Sequence, residues 1–549
     1  MTRFLLGNSA EGRVSVSPQD LETHMHVIGA TGGGKSYFLR HLAEQIIVAP
    51  YRPSLIVIDP HGSLYHQLLD TAISLRLEER VILFDPSESP YVIGYNPMER
   101  DARELAYQAM MMLEACRKVW GQDTFQETPR LARWLYNAFN GAIEAGLTLQ
   151  EAHYMLEPLE PLYRKAIAPK ITNEMVRMDW QWMLRQRPKL IEERVESSLN
   201  RFRPFFSDSR IANILTQQKT ILRLQEIMAR GEILLINLET HTSRIAPEHA
   251  QLLGTLLVND ILAAAFGRPE QERKPVYLII DEFQNFVTKD ICAILDGGRK
   301  YGLHLILAHQ HPKQLLLRDP EVYFSTLTNA RIKVIFGGLA YDDSELLARE
   351  VFRFDPKKVK LKLYRTFFEP VESRREVISY SHGRVSNRAL STSLASGAVY
   401  GPNGGFFDPD LRSISEVKTT GEYSSEGEVY GEVVTEVPFY EYHEREELAS
   451  VQFESLEEQL YLAINQLRDQ PSQYAAVKIP GREVKFIKVP TLKDLYIRDS
   501  RRREFKDYIF TERECYSTIK EIEIERRERQ RRLEREAELQ SLEEPRYKG

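Results

Sequence analysis

The chain has 549 residues, a formal net charge of −6, 42% hydrophobic residues and three cysteines. That length excludes a single ordinary core and points to roughly two to four structural units. The charge gives no support to nucleic-acid binding by the chain as a whole, although basic residues can be confined to a pore. Cys116, Cys292 and Cys515 are odd in number and unclustered, which excludes a cysteine-based zinc site and fits a reducing compartment.

The first recognisable element is a strand at His24-Met25-His26-Val27-Ile28, followed by Gly29-Ala30-Thr31-Gly32-Gly33-Gly34-Lys35-Ser36 and an amphipathic helix over 35–48. Ser54–Asp59 reads as the next strand and completes a βαβ unit. Val81-Ile82-Leu83-Phe84-Asp85 reads as a third buried strand. Residues 101–230 then change to helical spacing, with Trp120, Trp134, Trp180 and Trp182 as aromatic anchors, and predict an all-helical insertion. Strand–helix alternation resumes with strands at 233–238, 276–281, 303–308 and 331–336 and a helix over 246–266. Short continuous apolar runs separated by helices predict a mainly parallel sheet covered on both faces.

The expected divisions are 1–100 and 231–365 as the two halves of one α/β nucleotide-binding domain, with 101–230 inserted between them. Residues 366–450 read as a flexible polar region because 379–437 are rich in Ser, Gly and Glu, with a break at Gly401-Pro402-Asn403-Gly404-Gly405. Residues 451–549 predict a helix around Leu456–Leu467, a hairpin over Ala475–Val489 turning at Pro480-Gly481, and a tail mixing Arg with Glu. Such a tail reads as a solvated helix with i,i+4 pairs, or as an arm for a partner or nucleic acid. No stretch approaches the ~18–20 consecutive apolar residues of a membrane helix, and the start lacks a signal peptide's apolar length. A cytoplasmic chain without direct membrane insertion is the expectation.

The segment Gly29–Ser36 fits G-x-x-x-x-G-K-[ST], in which Gly29, Thr31, Gly32, Gly33 and Gly34 let backbone N–H groups meet phosphate oxygens. Lys35 is expected to reach the β/γ-phosphates of ATP and Ser36 to hold Mg²⁺. The apolar strand ending in Asp281-Glu282 supplies the second half: Asp281 binds Mg²⁺ through water and Glu282 orients and polarises the attacking water. The pair predicts an ATPase rather than a passive nucleotide binder. Gln310, at the end of the 303–308 strand, is placed to sense the γ-phosphate, or else is simply a polar strand terminus. Arg299 lies just before that strand, away from the phosphate loop. It either completes a neighbour's site in a ring, a role worth about 10³–10⁵ in rate, or closes the preceding helix. Asp59, in Asp59-Pro60-His61-Gly62, reads as a tuning carboxylate or a helix cap. His309 and His311 flank Gln310 without the carboxylate or cysteine partners of a metal site.

These motifs, H-x-x-V-I-G-A-T-G-G-G-K-S, V-I-D-P-H-G, G-Y-N-P, L-I-I-D-E-F-Q-N-F and R-K-Y-G-L-x-L-I-L-A-H-Q in that order, resemble the HerA/FtsK superfamily of ring ATPases. Within it the chain is most similar to the type IV secretion coupling proteins, over residues 15–365 and including the helical insertion. The resemblance implies a RecA-like P-loop NTPase fold. It also implies that Lys35, Ser36, Asp281, Glu282, Arg299 and Gln310 match the phosphate-loop pair, the acidic pair, the trans-acting arginine and the sensor glutamine. It further implies a hexamer moving DNA through a central channel, with relaxase or secretion-channel proteins as partners, here as a soluble variant without transmembrane helices.

Sequence-independent DNA contacts are expected from Arg201, Arg203, Lys313 and Arg318, with Arg185, Arg187, Arg194 and Arg210 adding a local basic excess. Ordinary solvated helix faces explain each of them equally. Two other functions fit the same motifs: an ATPase powering protein secretion or pilus assembly, and a nucleotide-gated scaffold recruiting a relaxase or nuclease through residues 498–549.

Overall fold

The structure, a computed structural model, describes residues 2–385 and 427–543 except 88–89, 102, 122–123, 126–127, 241–244 and 287–289. Its strands in the first half of the chain are β1 (Phe4–Ser9), β2 (Gly12–Val16), β3 (Met25–Ile28), β4 (Ser54–Asp59), β5 (Val81–Phe84), β6 (Tyr91–Ile93) and β7 (Ile233–Asn237). The remainder are β8 (Val276–Ile280), β9 (Leu303–His309), β10 (Ile332–Phe336), β11 (Val359–Val385), β12 (Gly427–Phe453), β13 (Tyr474–Lys478), β14 (Lys485–Lys488) and β15 (Tyr516–Thr518).

One 11-stranded sheet runs β2-β1-β14-β13-β10-β3-β9-β8-β4-β7-β5. Its block from β10 to β5 is parallel throughout, and every residue of β3, β4, β7, β8, β9 and β10 is buried. Continuous apolar runs such as Leu55-Ile56-Val57-Ile58 are what a strand covered on both faces requires. Two cores follow from alternation along those strands. Ile56, Leu234, Leu278 and Leu305 face the core shared with the helical region, and Leu55, Val57, Ile279 and Ile306 face the opposite layer.

The described residues between Leu105 and Arg230 that have regular structure are helical. Trp134 and Trp180 anchor this region, with ring centroids 5.6 Å apart, and Trp120 stacks on Phe125. Trp182 is not an anchor: it is 36% exposed and lies under the Arg194 guanidinium. The helix Pro247–Phe266 is long and apolar enough to cross a membrane, yet 78% of its apolar window is buried inside the protein.

One element escaped the sequence reading and two expectations need correction. First, β1 and β2 form an antiparallel hairpin turning at Gly12 (φ 125°), an element too short and too mixed in polarity to stand out. Second, the hairpin β13–β14 does turn at Pro480-Gly481 but is no separate module: it is hydrogen-bonded into the main sheet between β10 and β1. Third, the tail helix Ile519–Glu543 is not simply solvated. Ile522, Arg529, Leu533 and Ala537 are buried, a stripe of helical spacing that packs on the helix Pro161–Ile167. Arg529 there bonds Glu151 at 2.9 Å and the Thr216 carbonyl at 2.7 Å, with both charged side chains buried.

Residues 355–455 form a second compact unit. The region 366–450, expected to be flexible and polar, contributes most of β11 and β12, which pair antiparallel from Val359↔Phe453 to Val385↔Gly427. Interleaved β-branched and aromatic residues, such as Val377-Ile378 and Val433-Val434, carry this pairing despite the polar average composition. The Gly401–Gly405 break lies outside the described residues.

Candidate functional site

β3, β9, β8 and β4 are consecutive in the sheet and parallel, so their carboxyl ends line one edge, where ligands bind in open α/β sheets. From β3 comes the loop Gly29–Gly34, which opens the helix Lys35–Ile47. Gly32 (φ 79°) and Gly34 (φ 115°) occupy left-handed backbone, and a Cβ on Gly32 would meet nothing within 4 Å. The turn is therefore open on the side a phosphate would approach. At Gly29 the demand is different: a Cβ would sit 2.5 Å from the Phe336 Cβ.

The polar side chains converge on this loop. Lys35 Nζ donates to the Gly29 carbonyl at 2.8 Å and lies 3.6 Å from Glu282 Oε1. Ser36 Oγ is 3.4 Å from Asp281 Oδ2. Gln310 bridges two strands: its Nε2 donates to Glu282 Oε1 at 2.6 Å and its Oε1 accepts from Thr31 Oγ1 at 2.8 Å. Gln284 Nε2 donates to the other Glu282 oxygen at 2.8 Å. Glu282 itself has φ 46°, a conformation costly for a non-glycine residue and one that clusters at functional sites.

Sequence reasoning missed His61, whose Nε2 lies 3.8 Å from Glu282 Oε1. The signal was its place in the turn after β4, beside β8. Asp59 is a cap: it accepts from the His61 and Tyr65 backbone N–H groups at 2.8 and 2.9 Å, at the start of the helix Ser63–Ser74. Also missed was a brace from the C-terminal segment. Ser472 Oγ donates to the Gly32 carbonyl and the Gln473 N–H to the Gly33 carbonyl, both at 2.9 Å. Behind the site His26 and His309 stack, buried, with Nε2 atoms 2.6 Å apart. Burial, with His309 beside it, holds His26 well below the usual imidazole range, and burial holds His309 down at about 3. Among the described residues no His/Cys/Asp/Glu group of three or more is arranged to hold a metal by itself.

The two neighbouring carboxylates titrate apart. Burial, with Asp59 and Glu282 nearby, pushes Asp281 up to about 6. Burial acts the same way on Glu282, but hydrogen bonds from His61 and Gln284 and the Lys35 charge hold it down at about 2. A carboxyl whose native pKa exceeds its unfolded value costs stability once ionised, and that cost is relieved as pH falls below the native pKa. Asp281→Asn is therefore expected to raise the thermal midpoint by roughly 2–4 °C at pH 8, by about half as much at pH 5 and by almost nothing below about pH 3.5. Thermal melts of both proteins across this pH range check this, and equal gains would contradict it.

The remaining predicted residues are not gathered here. The backbone of Arg299 lies in the 3₁₀ turn Gly298–Tyr301, at the opposite end of β9 from Gln310, and its side chain lies outside the described residues, as does that of Arg318. Three candidate DNA contacts are already engaged within the chain. Arg201 bonds Ser197, Arg203 pairs with Glu157 at 3.2 Å and Lys313 with Asp342 at 2.6 Å. Arg210, from the same basic excess, pairs with Asp208 at 2.7 Å.

Residues 5–243 match the family profile of the helicase HerA central domain, and residues 275–351 match that of the TraM recognition site of TraD and TraG. Over these two stretches the chain is similar to HerA and to the TraD/TraG proteins. Its RecA-like fold is shared with a bacterial conjugative coupling protein, TrwBdeltaN70, in a trigonal form with sulphate, at TM-score 0.51 and 13% identity over 91% of this chain and 92% of that one. The plasmid coupling protein TrwB with the ATP analogue ADPNP gives TM-score 0.50 and 14% identity over 91% and 97%. TrwB with ADP and Mg²⁺ gives 0.50 and 13% over 88% and 89%. No curated protein matches this chain in sequence.

Proposed function

We propose that this chain hydrolyses ATP with Mg²⁺ and uses the cycle to move DNA through a ring of copies, as a conjugative coupling-type motor. The observation that carries the reading is the Gln310–Glu282–Lys35 network at the open phosphate loop, with Ser36 and Asp281 side by side. ATP bound at the loop would replace the Gly29 carbonyl as the partner of Lys35. Ser36 and Asp281 would hold Mg²⁺, whose charge would offset the burial and the neighbouring carboxylates that raise the Asp281 pKa. Glu282, ionised and held by Gln310 and Gln284, would take the proton of the attacking water. Arg299 is assigned to the neighbouring subunit's site, because its turn lies at the far end of β9 from its own phosphate loop.

The ring would be a hexamer in the cytoplasm, recruited to a relaxase or secretion channel rather than inserted in the membrane. The decisive measurement is phosphate release with and without single- and double-stranded DNA, read beside molar mass. Several-fold stimulation by DNA in an oligomer is the expected result. A DNA-indifferent rate from a monomer would sink the motor reading.

The internal pairing of Arg203, Arg210 and Lys313 favours a second reading, an ATPase that moves protein for secretion or pilus assembly. Retention of DNA by the ATP-bound protein at moderate salt discriminates against it. The scaffold reading loses support from the tail, since its buried stripe is already packed on the helical region.

A further inference from the structure

The ribbon β11–β12 is out of proportion to its surroundings. Each strand has 27 residues, about 90 Å at ~3.3 Å per residue, where strands usually have 3–10. An isolated two-stranded hairpin is marginal in water, and the described residues place no third strand in this sheet. Directly opposed residues share a face, so the register Phe368↔Glu444, Pro370↔Tyr442, Glu372↔Tyr440 and Ile378↔Val434 puts these side chains on one face. On that face Phe368 is 62%, Tyr442 55% and Tyr380 79% exposed, too much apolar area for a ribbon that stays alone.

The two outer edges differ in charge. β11 carries Lys360, Lys362, Arg365, Arg374 and Arg375 against three glutamates between 359 and 380. β12 carries six glutamates between Glu432 and Glu447 against Arg445 alone. A long edge that stays single is normally blunted by charge, proline or bulges, and part of this charge is used within the ribbon, where Arg374 pairs with Glu436 and Arg445 with Glu369. The two edges remain complementary, so the occupant that fits the β12 edge is the β11 edge of an identical chain. Since β11 and β12 run antiparallel, a β11 placed beside a neighbour's β12 is antiparallel to it as well. Repeating the step around a rotation axis gives an up-and-down barrel that leaves no edge. Pro370 and Pro438 lack an N–H, so the ladder between copies is divided into segments at those points.

We propose that the ribbons of neighbouring copies pair edge to edge, β11 of one with β12 of the next, and close into a β-barrel. This deepens the ring part of the reading above but needs neither ATP turnover nor DNA. It therefore stands or falls separately from the motor.

The test uses the full chain, with molar mass measured by light scattering across a concentration series near physiological salt. Two charge reversals are made at positions opposed within the ribbon by uncharged residues: Glu441→Lys/Glu444→Lys/Glu446→Lys in β12, opposite Val371, Phe368 and Thr366, and Lys362→Glu/Arg375→Glu in β11, opposite Val451 and Val437. Each alone faces like charge across every contact, and its half-assembly concentration is expected to rise about tenfold or more. Mixing the two restores complementary contacts all round, so the mixture is expected to regain wild-type mass, a recovery that misfolded variants would not give. Wild-type mass in both single variants, failure of the mixture to recover, or a wild type that stays monomeric at all concentrations overturns the proposal. ATP hydrolysis measured on the same samples reports on the motor alone.

Discussion

Glu282→Gln is expected to lower ATP turnover about 10²–10⁴-fold while leaving nucleotide affinity within a few-fold. The carboxylate is held by Gln310, Gln284 and Lys35, and its depressed pKa of about 2 keeps it ionised and able to accept a proton. An amide preserves size and most hydrogen bonds but cannot take that proton. Lys35→Ala should act earlier, abolishing binding, because it removes the one cation, among the described residues, that lies within 4 Å of Glu282 other than the half-exposed His61. Phosphate release and titration of a fluorescent ATP analogue separate the two effects. Retention of more than a third of the turnover in Glu282→Gln would remove it from the role of base.

Arg529→Ala is expected to destabilise the protein by about 3–5 kcal/mol, the cost of leaving a buried partner charge uncompensated. Glu151, 5% exposed at the side chain, would lose its guanidinium partner while still capping its own helix through Thr148. The Thr216 carbonyl would lose its donor too. Arg529→Met combined with Glu151→Gln should cost much less, because no charge is then stranded. Thermal melts of the single and double variants decide this. Equal losses in both would mean that packing, not charge, fastens the tail.

The parallel block of the sheet was legible because its strands are apolar runs, broken at His26, His304 and Lys333, and closed by polar or glycine residues, as at Leu278-Ile279-Ile280-Asp281. The phosphate loop, the acidic pair and Gln310 were legible for the same reason, since motif residues fall at strand ends. What escaped depends on partners distant in the chain. Nothing near Ser472 or Gln473 announces that they support Gly32 and Gly33. The tail's charge density masks a narrow stripe that only Glu151 and Thr216 make meaningful. The pairing of the basic candidates escaped for a related reason: Arg203 and Lys313 look available until Glu157 and Asp342 are placed beside them.

The pairing of Asn8 in β1 with Lys488 in β14 has a bearing on biosynthesis. At ~5–20 residues per second, the ribosome needs roughly half a minute to a minute and a half to deliver the strand that completes this side of the sheet. Through that interval the emerging polypeptide holds the outer side of β1 without β14, and the glycine turn without Ser472 and Gln473. Contacts this remote in sequence slow folding, so yield in a heterologous host should depend on chaperone supply and growth temperature more than on native-state stability.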